Sequence, residues 1–591
     1  MTDNSEIAHE FNEFFTNVGQ TISDSVKPTV RTAESYLTID PNIRELEFTP
    51  IRPSQIVDIV KAMEPKSSID SDGISTMLLK KIIYEISIPL SHIYSLSMSN
   101  GSFPSSLKTA RVIPIHKTGN PNCPDNYRPI SLLSSLSKIL EKCIATQLIN
   151  HLESNNILYK HQYGFQKNKS TEHNLISATN FIYNAINNGE YCIGLFLDLK
   201  KAFDVCSHDI LLTKLRHMGI NNTALQWFQS YLSNRTQFCE INGVRSSKKL
   251  IKISVMQGSI LGPILFLCYI NDLWKSTNLF TLMFADDTSA FKSGKNLNML
   301  INDMNIEINN IAVWFRANKM CVNVSKTKYI IFRARGKTIN NDINLSYNAN
   351  EPGQPIDDSL IYNLERIHDN NQDKNSRSYK LLGVYLDEYL TFNHHVNTLC
   401  NKLSKSLYCI NRVKNMLSLK ALRLLYFALF HPHINYCPII LNCTSTKNKS
   451  RIQKLQKKAI RTITKSSFKA HTEPLFEQNR ILTFDNLIHL QSSLFMHSYV
   501  YNYAPAAFNG MWMDNEQRNT GYHLRNTDNN NVFVPFPRIE LFKKSPLYSL
   551  PNTWNDLDHL KFQQNRFTFK WSLKCKYFNN WTVDILHRPL T

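Results

Sequence analysis

Two uninterrupted apolar runs stand out from an otherwise mixed pattern of hydrophobic and polar positions. Tyr191 to Leu197 (Tyr-Cys-Ile-Gly-Leu-Phe-Leu) and Leu279 to Ala285 are both of strand length and lack polar alternation, as central strands covered on both faces require. The first ends at Asp198. The second ends at Asp286-Asp287 and resumes in Thr288-Ser289-Ala290-Phe291, which predicts a tight hairpin carrying two acids at its tip.

Helical spacing recurs around these runs. Ile56, Ile59, Val60 and Met63 predict a short amphipathic helix, followed by a turn at Ser71-Asp72-Gly73. Ala110 to Ile115 predicts a strand, Lys117-Thr118-Gly119-Asn120-Pro121 a basic loop, and the segment beyond Asn126-Tyr127-Arg128-Pro129-Ile130 a helix through Leu140 and Ile144. Residues 336–378 are polar, rich in Asn and Asp, and include Glu351-Pro352-Gly353-Gln354-Pro355, so a polar insertion or long flexible loop is expected there. A short strand is expected at Leu381-Leu382-Gly383-Val384-Tyr385, and helices dominate after it. No internal repeat is visible.

Composition narrows the class. At 591 residues, 42% of them hydrophobic, the chain exceeds what one core serves and should fold into several lobes. The formal charge of +20 favours a polyanionic partner, nucleic acid before membrane. No membrane partner is expected: the N-terminus lacks a basic segment followed by an apolar one, and the apolar stretch around Ile260 to Ile270 is too short to span. Twelve cysteines scattered singly from Cys123 to Cys575 fit neither a zinc site nor a disulfide scaffold, and are expected to be reduced and mostly buried.

From Ser445 to Ala470 there are nine Lys or Arg and no acid. Arg451, Lys454, Lys458, Arg461 and Lys465 recur at steps of three and four beside an apolar stripe of Ile452, Leu455, Ala459 and Ile463, which predicts a helix that packs on one face and follows a phosphate backbone with the other. A charge run is ordinarily a solvated face; the missing acids favour a duplex contact.

Two acids at the tip of an apolar hairpin repel each other, and a hard divalent cation is the natural remedy. An Asp-Asp pair alone better fits a solvated turn. With Asp198 on a neighbouring strand, three carboxylates would hold two metal ions about 4 Å apart, the arrangement that aligns an attacking hydroxyl with a pyrophosphate leaving group.

The surrounding motifs decide between these readings. Asn126-Tyr127-Arg128-Pro129-Ile130-Ser131, Gly164-Phe165-Gln166-Lys167-Asn168-Lys169-Ser170-Thr171, Phe196-Leu197-Asp198-Leu199-Lys200-Lys201-Ala202-Phe203-Asp204, Gln257-Gly258-Ser259-Ile260-Leu261-Gly262-Pro263, Phe284-Ala285-Asp286-Asp287, Asn323-Val324-Ser325-Lys326-Thr327 and Leu382-Gly383-Val384 follow in order. In these, residues 110 to 463 resemble the reverse transcriptases of jockey-like non-LTR retrotransposons.

The resemblance implies a mixed α/β (α+β) fold, a right-hand polymerase with fingers, palm and thumb, plus a helical C-terminal region. The expected divisions are 1–105 as an N-terminal connector, 106–335 as fingers and palm, 336–378 as the insertion, 379–395 as a primer-grip hairpin, 396–470 as the thumb, and 471–591 without an assigned role. It implies Asp198, Asp286 and Asp287 as ligands of two Mg²⁺ ions, Mn²⁺ being an alternative, and Lys326 as the general acid for departing pyrophosphate. Phe203 is implied as the ring that excludes a 2′-hydroxyl, Gln257 and Gly258 as neighbours of the nascent base pair, Lys117 and Arg128 as triphosphate contacts, and Leu382 and Gly383 as the turn that steadies the primer.

The expected partners are an RNA template, a DNA primer and deoxynucleoside triphosphates, acting in nucleus and cytoplasm. Endonuclease activity is expected from a missing domain or another protein. Met256 stands where such proteins usually have Pro, and Cys206-Ser207 replaces small and acidic residues, but neither change removes a carboxylate. The alternatives are a catalytically inactive nucleic-acid-binding remnant, and an RNA-dependent RNA polymerase or intron maturase with the same palm; Phe203 disfavours ribonucleotide use, and Tyr127-Arg128-Pro129-Ile130 and Gln257 to Pro263 are more similar to retrotransposons.

Overall fold

The computed structural model describes residues 3–578 apart from 39, 68, 71, 340–342, 352, 369–377 and 514–529, so Ser71 of the expected turn and Pro352 of the expected insertion lie outside the described residues. A five-stranded sheet organises the middle of the chain, in the spatial order Glu365–Ile367, Lys328–Phe332, Tyr191–Leu197, Asp287–Gly294, Phe280–Phe284. Neighbours are antiparallel except the edge strand Glu365–Ile367, which runs parallel to Lys328–Phe332. Tyr191–Leu197 is central, and its alternating side chains feed two cores. Ile193, Leu195 and Leu197 pack with Ile144, Leu265 and Trp314, whereas Cys192 and Phe196 pack with Ile182, Phe332, Leu494 and Trp554. A strand buried on both faces has no use for polar alternation, which accounts for the run seen in the sequence.

A second sheet forms the fingers. Thr109–His116 pairs antiparallel with Tyr127–Leu132 and parallel with Arg235–Ile241. The sequence pattern predicts strand, loop, helix at this point; the structure has strand, loop, strand, and only then the helix Ser135–Ser154. Pro129 concealed the extra strand, because proline interrupts a ladder. Tyr127–Leu132 lies at the sheet edge, where the missing N–H is tolerated.

Helices of the first hundred residues pack into the rest of the molecule. Ile56 and Val60 of the helix Pro53–Ala62, and Leu79, Ile83 and Tyr94 of the helix Thr76–Ser99, belong to the same core as the central strand. The helix Asn4–Ser25 lies against the fingers sheet, with Gly19 so close to the Asp204 carbonyl that a Cβ would sit 2.0 Å from its oxygen. The stretch 336–378 also departs from expectation. Leu345, Tyr347 and Leu364 are buried, and Glu365–Ile367 completes the palm sheet, so part of this polar segment is sheet rather than flexible loop.

The stretch expected as the thumb is helical, and its core continues past residue 470. Helices Asn393–Val413, Leu419–Leu425, Thr446–Ile463 and Glu473–Gln478, with the start of Phe484–Val500, share one core of Leu403, Tyr426, Ile452, Ile460, Phe476 and Phe484. The rest of Phe484–Val500 and the helices Pro546–Asn555 and Arg566–Tyr577 close the second palm core through Leu494, Trp554 and Phe569. All twelve cysteines are free and eight are buried, as their scattered spacing suggests. Among the described residues no helix is long and apolar enough to cross a membrane.

One ion pair lies wholly inside. Lys214 donates to Asp272 at 2.5 Å and to the Tyr269 carbonyl at 2.6 Å, and Asp272 accepts a further bond from the Trp314 indole at 2.9 Å. Both partners are almost completely buried, so removing one strands the charge of the other. Lys214→Met is expected to cost about 3–5 kcal/mol, and Lys214→Met with Asp272→Leu to recover much of that loss. Thermal denaturation of the two variants beside the parent checks this; equal losses in both would refute it.

Candidate functional site

The two buried runs deliver their acids to one place. The register that sets Leu197 opposite Thr288 carries Asp198, the next residue, to the level of Asp287 on the adjacent strand. Facing residues of antiparallel strands lie roughly 4.5–5.5 Å apart between Cα atoms. Phe280–Phe284 and Asp287–Gly294 close through Phe284 opposite Asp287, leaving Ala285 and Asp286 as a two-residue turn. The expected hairpin is therefore present.

That turn is strained and braced. Ala285 takes a left-handed backbone, φ 56°, which costs a residue with a Cβ about 1–2 kcal/mol. The buried Gln162 side chain holds it: its Oε1 accepts the N–H of Ala285 and the N–H of Gly164, each at 2.9 Å. Gly164 has no alternative, because a Cβ would lie 2.3 Å from the Ala285 nitrogen. Behind Asp198, the Asn323 N–H donates to its carbonyl at 2.7 Å, and its own N–H donates to Thr327 Oγ1 at 3.3 Å. Lys326 thus sits on a loop bonded to the main chain of an acid, with its side chain exposed.

The electrostatics show that the acids sense one another. Asp287 is pushed up to about 6, by burial first and then by the charges of Asp286 and Asp198. Its side chain keeps solvent access, so burial acts through the protein packed around the hairpin rather than by enclosure. Asp286 is raised by burial and by Asp198, against the opposing pull of Lys117 and Arg128. These exposed cations come from the hairpin of the fingers sheet, which places them in electrostatic range of the acids. Among the described residues no group of three or more His, Cys, Asp or Glu side chains is arranged to hold a metal ion. The three carboxylates at adjacent strand ends are nevertheless the donor chemistry that suits a hard divalent cation.

Phe203 is half-buried, stacked on Phe266 at 4.4 Å with Phe165 edge-on at 6.2 Å. Gln257 donates to Asp204 at 3.2 Å, and its carbonyl accepts the Ser131 N–H at 3.0 Å. Gly258 has φ 113°, and a Cβ there would lie 2.4 Å from the Ser131 carbonyl. Both residues thus make contacts inside the protein, the glycine by close approach to the strand Tyr127–Leu132. Met256 fills a small cluster with Ala110, Leu133 and Ile251.

Leu382 and Gly383 form a two-residue turn with φ 43° and 85° between Tyr379–Leu381 and Val384–Leu386. The Tyr436 hydroxyl fixes that turn by donating to the Leu382 carbonyl at 2.5 Å. Tyr379 stacks on Phe196 at 4.2 Å, two residues before Asp198, and its hydroxyl is raised by burial and then by Asp287 and Asp198. The hairpin is therefore bound to the catalytic strand. Sequence reasoning missed Tyr379, Gln162 and Glu141, whose buried carboxylate accepts the Ile260 N–H at 2.8 Å at the start of the helix Leu261–Ile270. None belongs to a distinctive spacing, and each acts through a distant segment.

On Thr446–Ile463 the expected cationic face divides. Lys454 and Lys458 are exposed, as is Lys465 just beyond the helix, whereas Arg451 and Arg461 are half-buried and donate to Asn448 at 3.3 Å and to the Ala470 carbonyl at 2.9 Å. Lys457, which the spacing argument passed over, is exposed beside them.

Comparison with known proteins agrees with this geometry. Residues 115–386 match the family model described as reverse transcriptase (RNA-dependent DNA polymerase). The chain is 30% identical over 457 residues to a probable RNA-directed DNA polymerase from transposon BS of Drosophila melanogaster, covering 73% of this chain and 47% of that protein. It is 27% identical to the RNA-directed DNA polymerase from mobile element jockey of the same organism, covering 73% and 46%. A retrovirus-related Pol polyprotein from the type-1 retrotransposable element R2 of Popillia japonica is 25% identical over 49% of this chain and 40% of its own. The chain spans about half the length of the curated relatives it matches. The matched residues contain both acid-bearing strands and the hairpin beside them, so residues 115–386 form a reverse transcriptase domain, in a chain similar to the RNA-directed DNA polymerases of jockey and other mobile elements.

Proposed function

We propose that the chain is an RNA-directed DNA polymerase that adds deoxynucleotides to the 3′-hydroxyl of a primer paired with an RNA template. The observation that carries this reading is the facing of Asp198 with the Asp286-Asp287 turn at adjacent strand ends. Asp198, Asp286 and Asp287 would hold divalent cations, Mg²⁺ or Mn²⁺, which when bound supply positive charge to the attacking and leaving oxygens of a phosphoryl transfer.

The protein's own residues do the remainder. Lys117 and Arg128 meet the triphosphate from the fingers side, Arg128 as a planar fork and Lys117 as a point charge. Phe203 presents its half-buried ring to the sugar and leaves no space for a 2′-hydroxyl. Lys326 supplies a proton to the departing pyrophosphate. The hairpin carrying Leu382 and Gly383 steadies the primer end beside the acids, and the exposed lysines of the thumb follow the duplex backbone. Endonuclease activity would come from another segment or another protein.

Primer extension on an RNA template tests the central claim. Asp286→Asn and Asp287→Asn are each expected to abolish deoxynucleotide incorporation while leaving primer–template binding within about twofold, since binding rests on phosphate contacts. Incorporation by the double variant equal to that of the parent would refute the assignment. The same assay with ribonucleotides examines the sugar: Phe203→Val should narrow the preference for deoxynucleotides by about tenfold or more, because relief of a steric clash is worth at least about 1.4 kcal/mol on this scale. Replacing Lys454, Lys457 and Lys458 by Gln together should weaken duplex binding and flatten its dependence on salt by about 0.9 in log–log slope for each phosphate that the helix no longer neutralises. An unchanged slope would remove that helix from the duplex.

A further inference from the structure

The segment Gly164 to Ser170 contains a residue that its packing does not explain. Phe165 is a large aromatic side chain, 54% exposed, on a backbone at φ 53°. A bulky residue in the left-handed region is an outlier, and an exposed ring gains little burial in return. The conformation is nonetheless imposed from both sides. Gly164 before it is wedged against the backbone of Ala285 and tied through Gln162 Oε1. After it, Gln166 Nε2 and Lys169 Nζ both donate to the Gln162 carbonyl, at 2.9 and 2.8 Å, and Lys169 donates also to the Lys160 carbonyl at 3.0 Å. Strain that the surroundings over-determine at the edge of an active site is a mark of function.

The direction of the ring shows what that function is. Phe165 meets Phe203 edge to face, with ring centres 6.2 Å apart and planes at 85°, while Phe266 stacks on Phe203 at 4.4 Å. The bracing residue before Phe165 touches the turn that bears Asp286. Phe165 thus follows a glycine packed on the acid turn, meets the Phe203 ring, and stays more than half exposed.

Resting on the polymerase reading, we propose that Phe165 is a specificity-determining residue that forms a two-ring corner with Phe203, contacts the deoxyribose of the incoming nucleotide, and holds the Phe203 ring where a 2′-hydroxyl cannot enter. The apolar corner accepts the 2′-methylene and leaves a hydroxyl without a partner. Phe165 acts from a separate segment, so it adjusts nucleotide choice without touching the carboxylates.

The test uses the full chain with Phe165→Ala, Phe165→Gly, Phe165→Leu and Phe165→Tyr. Steady-state constants are measured for a deoxynucleotide and its ribonucleotide, and nucleotide affinity is measured with a chain-terminated primer on which no bond can form. Phe165→Ala and Phe165→Gly should raise KM and Kd for the deoxynucleotide about tenfold, a change of the size that one aromatic ring contributes. They should change kcat less than about threefold, and leave ribonucleotide values nearly unchanged, so that the preference narrows. Phe165→Tyr should restore the preference and Phe165→Leu should not. Phe165→Gly, which suits a left-handed backbone, should melt no lower than the parent, separating the sugar contact from folding.

Deoxynucleotide constants like those of the parent in the Ala and Gly variants, or an equal weakening for both nucleotides, would overturn the proposal. A parent chain that extends no primer but binds deoxynucleotide in a Phe165-dependent way would sink the polymerase reading and leave the sugar contact standing. A parent that neither extends nor binds would sink both.

Discussion

Mutual repulsion among three carboxylates is the constraint on which this structure turns. Asp198 raises the proton affinity of Asp286, both raise that of Asp287, and nothing in their own bonding would keep the three together. What does so is the sheet. Each acid ends or turns a strand whose other residues are committed to one of two cores, so separating the acids would mean unpacking those cores. Gln162, Gly164 and Thr327 then fix the last fraction of the geometry, where the backbone leaves regular structure. A site that stores repulsion in this way is poised for positive charge, which is the charge that a nucleotide-polymerising centre must gather.

The sequence displays the part of this that repeats or alternates. The two apolar runs, the acids at their ends and the tight turn between Phe284 and Asp287 were legible because a strand buried on both faces has one recognisable pattern. The helix of Ile56, Val60 and Met63 and the cationic helix were legible through their period. What escaped has a common physical cause: it depends on partners far along the chain. Pro129 reads as a break until Thr109–His116 is known to leave it on an edge. Residues around Leu345, Tyr347 and Leu364 read as a polar loop because three buried side chains and one short edge strand are diluted among Asn and Asp. The partners of Gln257 and Gly258 inside the protein, Asp204 and Ser131, lie far along the chain and leave no trace in the spacing. Arg451 and Arg461 share the spacing of their lysine neighbours, yet bond inward, because a guanidinium reaches carbonyls that an ammonium on the open face does not.

The segments outside the matched residues are structural parts of the same unit. On the face of the palm sheet that carries Cys192 and Phe196, the helix Thr171–Asn187 packs on the strands, and the same core continues outward to Leu494, Trp554 and Phe569 from the last hundred residues. The core on the opposite face reaches Ile56, Leu79, Ile83 and Tyr94 of the first hundred. Both ends of the chain thus share cores with the sheet, and truncation from either side would expose apolar surface rather than remove an appendage.

This arrangement bears on the choice between an enzyme and a remnant that only binds nucleic acid. Gripping a duplex needs charge on a stable surface, and Lys454, Lys457 and Lys458 supply it from one helix with no demand on the palm. A binding remnant has no use for a left-handed Ala285, a left-handed Phe165 with its ring in water, or a glycine at 164 that exists only to let two loops touch. Each costs stability, and duplex contact offsets none of it. They are useful only if the positions of Asp286 and Phe203 matter to a fraction of an ångström, and that tolerance belongs to bond formation rather than to adhesion.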